Sequence, residues 1–166
     1  MTEVANELLG RIDAVEERLR ELAVTDPVPP GLTRADLPSG ERWDWGQAWA
    51  HLAEFVPYWI GEVRTILART GEGGGPVAFG RTKADPDRIR AIERDRHADP
   101  RELMARVAGH VAELRQLTRA LGDDDWAVVA THPTLGDMSI SEIFEEFLVG
   151  HLEQHADQLE ELTVGE

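Results

Sequence analysis

Four stretches of this 166-residue chain carry apolar residues at the 3.6-residue period of a helix, and the segments between them cannot extend one. In the first, about residues 3–23, Leu8, Ile12, Val15, Leu19 and Leu22 share a face, and Asp26-Pro27-Val28-Pro29-Pro30-Gly31 ends the pattern. The second, about 44–70, turns Ala48, His51, Leu52, Phe55, Trp59, Val63, Ile66 and Leu67 inward. Pro57 should bend it, because proline removes a backbone donor and crowds the preceding turn. The third opens on Asp99 as cap with Pro100 and Glu102 behind it, and it stops at Gly122. Its inward stripe is Leu103, Val107, His110, Val111, Leu114, Thr118 and Leu121. The fourth starts at the capping box Ser139-Ile140-Ser141-Glu142 and reaches about Leu162. Residues 71–98 form a long connection with a short helix near 86–96, and only a few residues around Val128 suggest a strand. The expectation is an all-α fold, one four-helix bundle domain over 1–166.

Composition narrows the function classes. The net charge of −15 disfavours nucleic acid and anionic lipid as partners, since both carry the same sign. No window approaches 18 uninterrupted apolar residues, and the start Met1-Thr2-Glu3-Val4-Ala5-Asn6-Glu7 lacks the pattern of a signal peptide, so no membrane span and a cytoplasmic location are expected. There is no cysteine, which removes disulfides, thiolate metal ligands and any protein nucleophile based on sulfur. Thiol chemistry, if present, must use a substrate thiol.

His151 and His155 stand one turn apart in the fourth helix, a rotation of ~40° and a rise of ~6 Å, so both rings leave one face. That face also carries Phe144, Leu148, Leu159 and Leu162, so the rings point into the interior, where uncharged imidazoles need partners. His51 lies on the apolar stripe of the second helix, among Leu52, Phe55 and Trp59. The three form a candidate site for one divalent metal: zinc first, nickel or iron as alternatives. Depth along the helices supplies a check. If the second and fourth helices are antiparallel the three rings meet; if parallel, they miss by roughly 8–13 Å.

The other histidines read differently. His110 is expected to be a core residue or an outer partner of the site, and His97 and His132 are expected in solvated connections. The order His151-Leu152-Glu153-Gln154-His155 puts its acid third, where neither metalloprotease signature has it, and Glu153 should face water. The Glu-x-x-His pairs of a carboxylate-bridged di-iron site are missing, and Glu142, Glu145 and Glu146 read as a solvated face. Glu54 and Asp157 are the nearest acids for a general base, yet both read as exposed helix residues. Trp43, Trp45, Trp49, Tyr58 and Trp59 crowd around His51; some must be core, and an aromatic pocket beside the metal would suit a conjugated electrophile. Gly73-Gly74-Gly75 lacks the residues of a phosphate loop and reads as a flexible link.

Three segments together resemble the DinB-like superfamily: Trp49-Ala50-His51-Leu52, His132-Pro133-Thr134-Leu135-Gly136-Asp137-Met138-Ser139-Ile140-Ser141-Glu142-Ile143, and His151-Leu152-Glu153-Gln154-His155-Ala156-Asp157-Gln158-Leu159. The resemblance implies an up-down-down-up bundle with a long crossover between the second and third helices. It also implies metal ligation by His51, His151 and His155. It further implies a low-molecular-weight thiol cosubstrate and a small electrophilic substrate, making the chain a metal-dependent S-transferase. A non-catalytic metal- or ligand-binding bundle and a metal-dependent hydrolase are the alternatives. A homodimer is compatible with such a bundle.

Overall fold

A computed structural model of the chain describes residues 1–37 and 39–165. Each long helix begins where its capping chemistry sits. Helix α1 (Glu3–Ala23) is capped by Thr2, whose hydroxyl accepts from Ala5 N at 3.0 Å. Helix α2 (Trp45–Arg69) opens on a capping box between Asp44 and Gln47. It continues through Pro57 without interruption, so proline does not divide it. Strand β1 (Val77–Ala78) and helix α3 (Pro86–Asp95) lie in the connection. Helix α4 (Pro100–Ala120) starts at Asp99 as expected, and the short α5 (Asp123–Trp126) follows it.

The last quarter departs from a regular helix. Strands β2 (Val129–His132) and β3 (Gly136–Ser139) form a hairpin, and β1 pairs parallel to β2 with Val77 opposite Ala130. The expected all-α bundle thus gains a three-stranded sheet, too short and too polar at Gly136-Asp137 to show in periodicity. Helix α6 (Ile140–Ile143), capped by Ser139 and Glu142, leads into a π-helical turn, Phe144–Leu148, and then α7 (Val149–Val164). A single fourth helix was expected; the extra residue is invisible in sequence because Phe144, Phe147, Leu148, Val149 and Leu152 are apolar all round the turn. Gly150 makes the turn feasible: a methyl there would overlap the Glu145 carbonyl, which the wide turn brings close.

The predicted stripes are the core. Leu8, Ile12, Val15, Leu19, Phe55, Val63, Val107, Leu114, Phe144, Leu148 and Leu159 are all buried in one cluster. Removing one of these large side chains costs about 2–5 kcal/mol. Helix α1 packs on α4 and α7, and α2 packs on α4, α7 and the crossing α3. Two sets of contacts give chain direction. Arg11 binds Glu145 and Glu153 while Arg18 binds Asp157 and Glu160, so α1 and α7 run parallel. His51 meets His151 and His155 while Trp59 stacks on Phe147, so α2 and α7 run antiparallel. The order is up-down-down-up, with the crossover between α2 and α4.

Candidate metal centre

Antiparallel packing of α2 and α7 brings the three histidines to one point. His151 Nε2 is 3.1 Å from His51 Nε2 and 3.0 Å from His155 Nε2. One ligand nitrogen from each ring lies within 4.8 Å of the others. Two nitrogens on one tetrahedral zinc, each about 2.05 Å from the ion, stand about 3.3 Å apart. The observed spacing is therefore close to that of ligands sharing an ion.

Hydrogen bonding sharpens this fit. His51 Nδ1 lies 3.0 Å from Glu54 Oε1, and a carboxylate only accepts, so this nitrogen carries the proton. His155 Nδ1 donates to Gln158 Oε1 at 2.7 Å. Both rings then present an Nε2 lone pair to His151 Nε2, which can give a proton to only one of them. At least one of these close pairs has lone pairs alone between its nitrogens, and a cation resolves that conflict. Burial pushes His51 and His151 well below the usual histidine range and His155 down to about 4, so all three are neutral near pH 7, as ligands must be.

Glu54 corrects an expectation. It read as an exposed residue, yet its side chain is only 6% exposed, and Arg81 Nη2 donates to both of its oxygens at 2.6 and 2.7 Å. Burial raises its pKa and Arg81 opposes the rise. The signal was present: a residue three after His51 shares its helical face. Arg81 itself, from the crossover, could not be placed by spacing.

His132 is also corrected. It was expected in solvent but is buried, because the β2–β3 pairing turns it under Phe147, with ring centroids 5.0 Å apart. Its Nδ1 accepts from Thr134 N and Leu135 N, both at 3.2 Å, and burial lowers its pKa. His110 is half-buried on the flank of α4, with Nδ1 3.5 Å from Glu113, and does not join the cluster; its position falls just beside the apolar stripe. His97 is exposed, as expected. Glu153 is half-buried on Arg11 rather than free in water, while Asp157 is exposed and paired with Arg18.

The three histidines line a cavity of about 710 Å³. Trp59 and Phe147, stacked at 4.0 Å, form an aromatic wall, and Trp43 lies over the histidines themselves. Trp45 and Trp49 belong to the core, and Tyr58 sits beneath Arg81. Two segments outside the bundle roof the cavity. The loop 33–43 supplies Asp36 and Glu41, and the crossover supplies Lys83 and Arg88, which pair with them.

The sequence model of the DinB superfamily matches residues 11–159. The chain belongs to this family. No curated protein matches it in sequence. Among solved structures, the DinB bundle described here resembles YfiT from Bacillus subtilis, described as a probable metal-dependent hydrolase with an unusual four-helix bundle topology. The TM-score is 0.73 at 18% identity, over 99% of this chain and 89% of that one. It also resembles the mycothiol-dependent maleylpyruvate isomerase, with a TM-score of 0.64 at 19% identity, over 96% of this chain and 63% of that one. A third likeness is the colibactin self-resistance protein ClbS, solved with double-stranded DNA, at a TM-score of 0.61 and 12% identity, over 96% and 95% of the two chains. At such identities the likeness is one of fold. Within the DinB bundle of this chain, the three histidines, the crossover and the β2–β3 turn line one cavity.

Proposed function

We propose that this DinB protein is a divalent-metal-dependent S-transferase whose metal is held by His51, His151 and His155. The observation that carries the reading is the convergence of three neutral imidazole nitrogens on the wall of a large cavity. A divalent ion bound there lowers the pKa of a thiol or a water molecule. Three histidines leave a coordination position for such a group, as catalytic rather than structural sites do. Zinc suits a three-nitrogen set, and nickel or iron are the alternatives.

The chain's own residues supply the rest. Glu54 and Gln158 fix the ring nitrogen that His51 and His155 offer. Trp59 and Phe147 give a flat apolar surface for a conjugated electrophile. The cavity has the volume of a drug-sized ligand site, room enough for two small cosubstrates. With no cysteine in the chain, no protein thiol competes for the ion. The fold shared with the mycothiol-dependent isomerase supports a low-molecular-weight thiol as cosubstrate.

Hydrolysis is the second reading, favoured by the likeness to YfiT. The two are separated by loading the protein with zinc and offering either a thiol plus an electrophile or activated esters and amides. Metal-dependent loss of free thiol, absent in His151→Ala, supports transfer. Product formation from ester or amide without thiol overturns it in favour of hydrolysis.

A further inference from the structure

His51, Glu54, Tyr58 and Glu62 follow one another on α2 at steps of three and four residues, so they share one face. The crossover segment docks on that face at three points. Gly80 N donates to Glu62 Oε2 at 2.5 Å. The Arg81 guanidinium lies 3.9 Å from the centroid of the Tyr58 ring. Arg81 Nη2 bridges the two oxygens of Glu54, whose Oε1 faces His51 Nδ1. The approach is so close that a Cβ on Gly80, whose φ is +89°, would stand 2.6 Å from His132 Cδ2. The crossover is therefore pressed between α2 and the β-hairpin, and Arg81 has little freedom to shift.

The Arg81–Glu54 pair is nearly dry, its side chains 9% and 6% exposed. A buried pair of this kind is hard to justify by stability alone, because desolvation offsets most of the attraction. We infer that Arg81 is a positioning residue of the metal centre: by holding the Glu54 carboxylate in place as an acceptor, it fixes the orientation of His51 and the nitrogen His51 presents, and so sets how tightly the site holds its ion. This rests on the metal-binding reading above. Gln158 does the corresponding task for His155 with an uncharged amide from the same helix, whereas the α2 ligand is governed from the crossover. In metal sites generally, losing such an outer partner weakens metal binding about 10- to 100-fold.

The test is zinc affinity by chelator competition at one fixed pH, in the native chain, Glu54→Gln, Arg81→Gln, Arg81→Lys and the double variant Glu54→Gln/Arg81→Gln. Each metal-free variant is first checked for native helical circular dichroism. Both Gln variants should bind zinc about 10- to 100-fold more weakly, and Arg81→Lys should recover part of the loss. Because Arg81 acts through Glu54, the double variant should bind no more weakly than Glu54→Gln. The visible spectrum of bound cobalt should change in Arg81→Gln. Native affinity in Arg81→Gln, or losses that add in full in the double variant, overturns the inference. If Arg81→Gln does not fold, Arg81→Lys measured with and without Glu54→Gln completes the same cycle. Absence of zinc uptake by the native chain overturns the metal reading itself, a different result from uptake at unchanged affinity.

Discussion

The indole of Trp43 lies 4.5 Å from the His51 imidazole, centroid to centroid, and stacks on His155 at 5.6 Å. A fluorophore thus covers two of the three candidate ligands. Loading with nickel or cobalt should quench part of the tryptophan emission in a saturable way. The Trp43→Phe variant should lose most of that quenching while its metal content stays at about one ion per chain. Equal quenching in the variant would mean that the ion binds elsewhere.

His151 touches both other histidines, so its removal should empty the site. Plasma mass spectrometry should find about one divalent ion per native chain and none in His151→Ala. In metal-free protein the same change should move the melting temperature little, because the close nitrogens are not all satisfied there. Zinc at 100 times its Kd should stabilise the native chain by about 2.7 kcal/mol and leave the variant unchanged.

Acid should weaken the metal-free fold through these rings. In the unfolded chain a histidine takes up its proton near pH 6.5, whereas in the fold His155 resists until about pH 4 and His51 and His151 are also held down. Between those values the unfolded state binds more protons, so stability is complete above pH 6.5 and falls as pH drops toward 4. His155 alone accounts for about 3 kcal/mol of that fall. Urea midpoints taken between pH 7.5 and 4.5 measure it, and His155→Leu should flatten the dependence. Zinc should leave the native chain over the same interval, because protons compete for the ligand nitrogens.

Gly150 should be intolerant of a side chain. Gly150→Ala forces a methyl against the Glu145 carbonyl, costs about 3 kcal/mol, and shifts the turn that aims His151. Gly109, inside α4 with open space around it, is the control: Gly109→Ala should raise stability by about 1 kcal/mol. Thermal melts and zinc titrations of both variants give the comparison. A harmless Gly150→Ala would mean the wide turn is not required.

Charge argues that the likeness to ClbS does not extend to DNA. With a net charge of −15, gel-shift assays at physiological salt should detect no complex with double-stranded DNA. A retarded band that salt abolishes would refute this.

The sequence disclosed the parts of the molecule that obey one period. Leu8 through Leu22, the stripe from Ala48 to Ile66 and the caps Asp99 and Ser139 behave as local rules require, because burial and capping act within a few residues. Depth along two antiparallel helices brought His51 to His151 and His155. What stayed hidden depends on contacts across long separations. Arg81 reaches Glu54 from 27 residues away, His132 is buried only once β2 pairs, and the wide turn at Phe144–Leu148 leaves an unbroken apolar pattern. Trp43 lies outside any helix, so no periodicity could place it over the histidines.

The roof of the cavity has a consequence for how such a protein could diversify. Loop 33–43 and the crossover are joined to each other by Lys83–Asp36 and Arg88–Glu41, while the histidines belong to the bundle below. The partition is not complete, because Arg81 of the same crossover reaches down to Glu54 beside His51, and Trp59 and Phe147 of the bundle form part of the cavity wall. Any descendant that remodels this roof must therefore change both segments together, to keep the two ion pairs, and must leave Arg81 where it is.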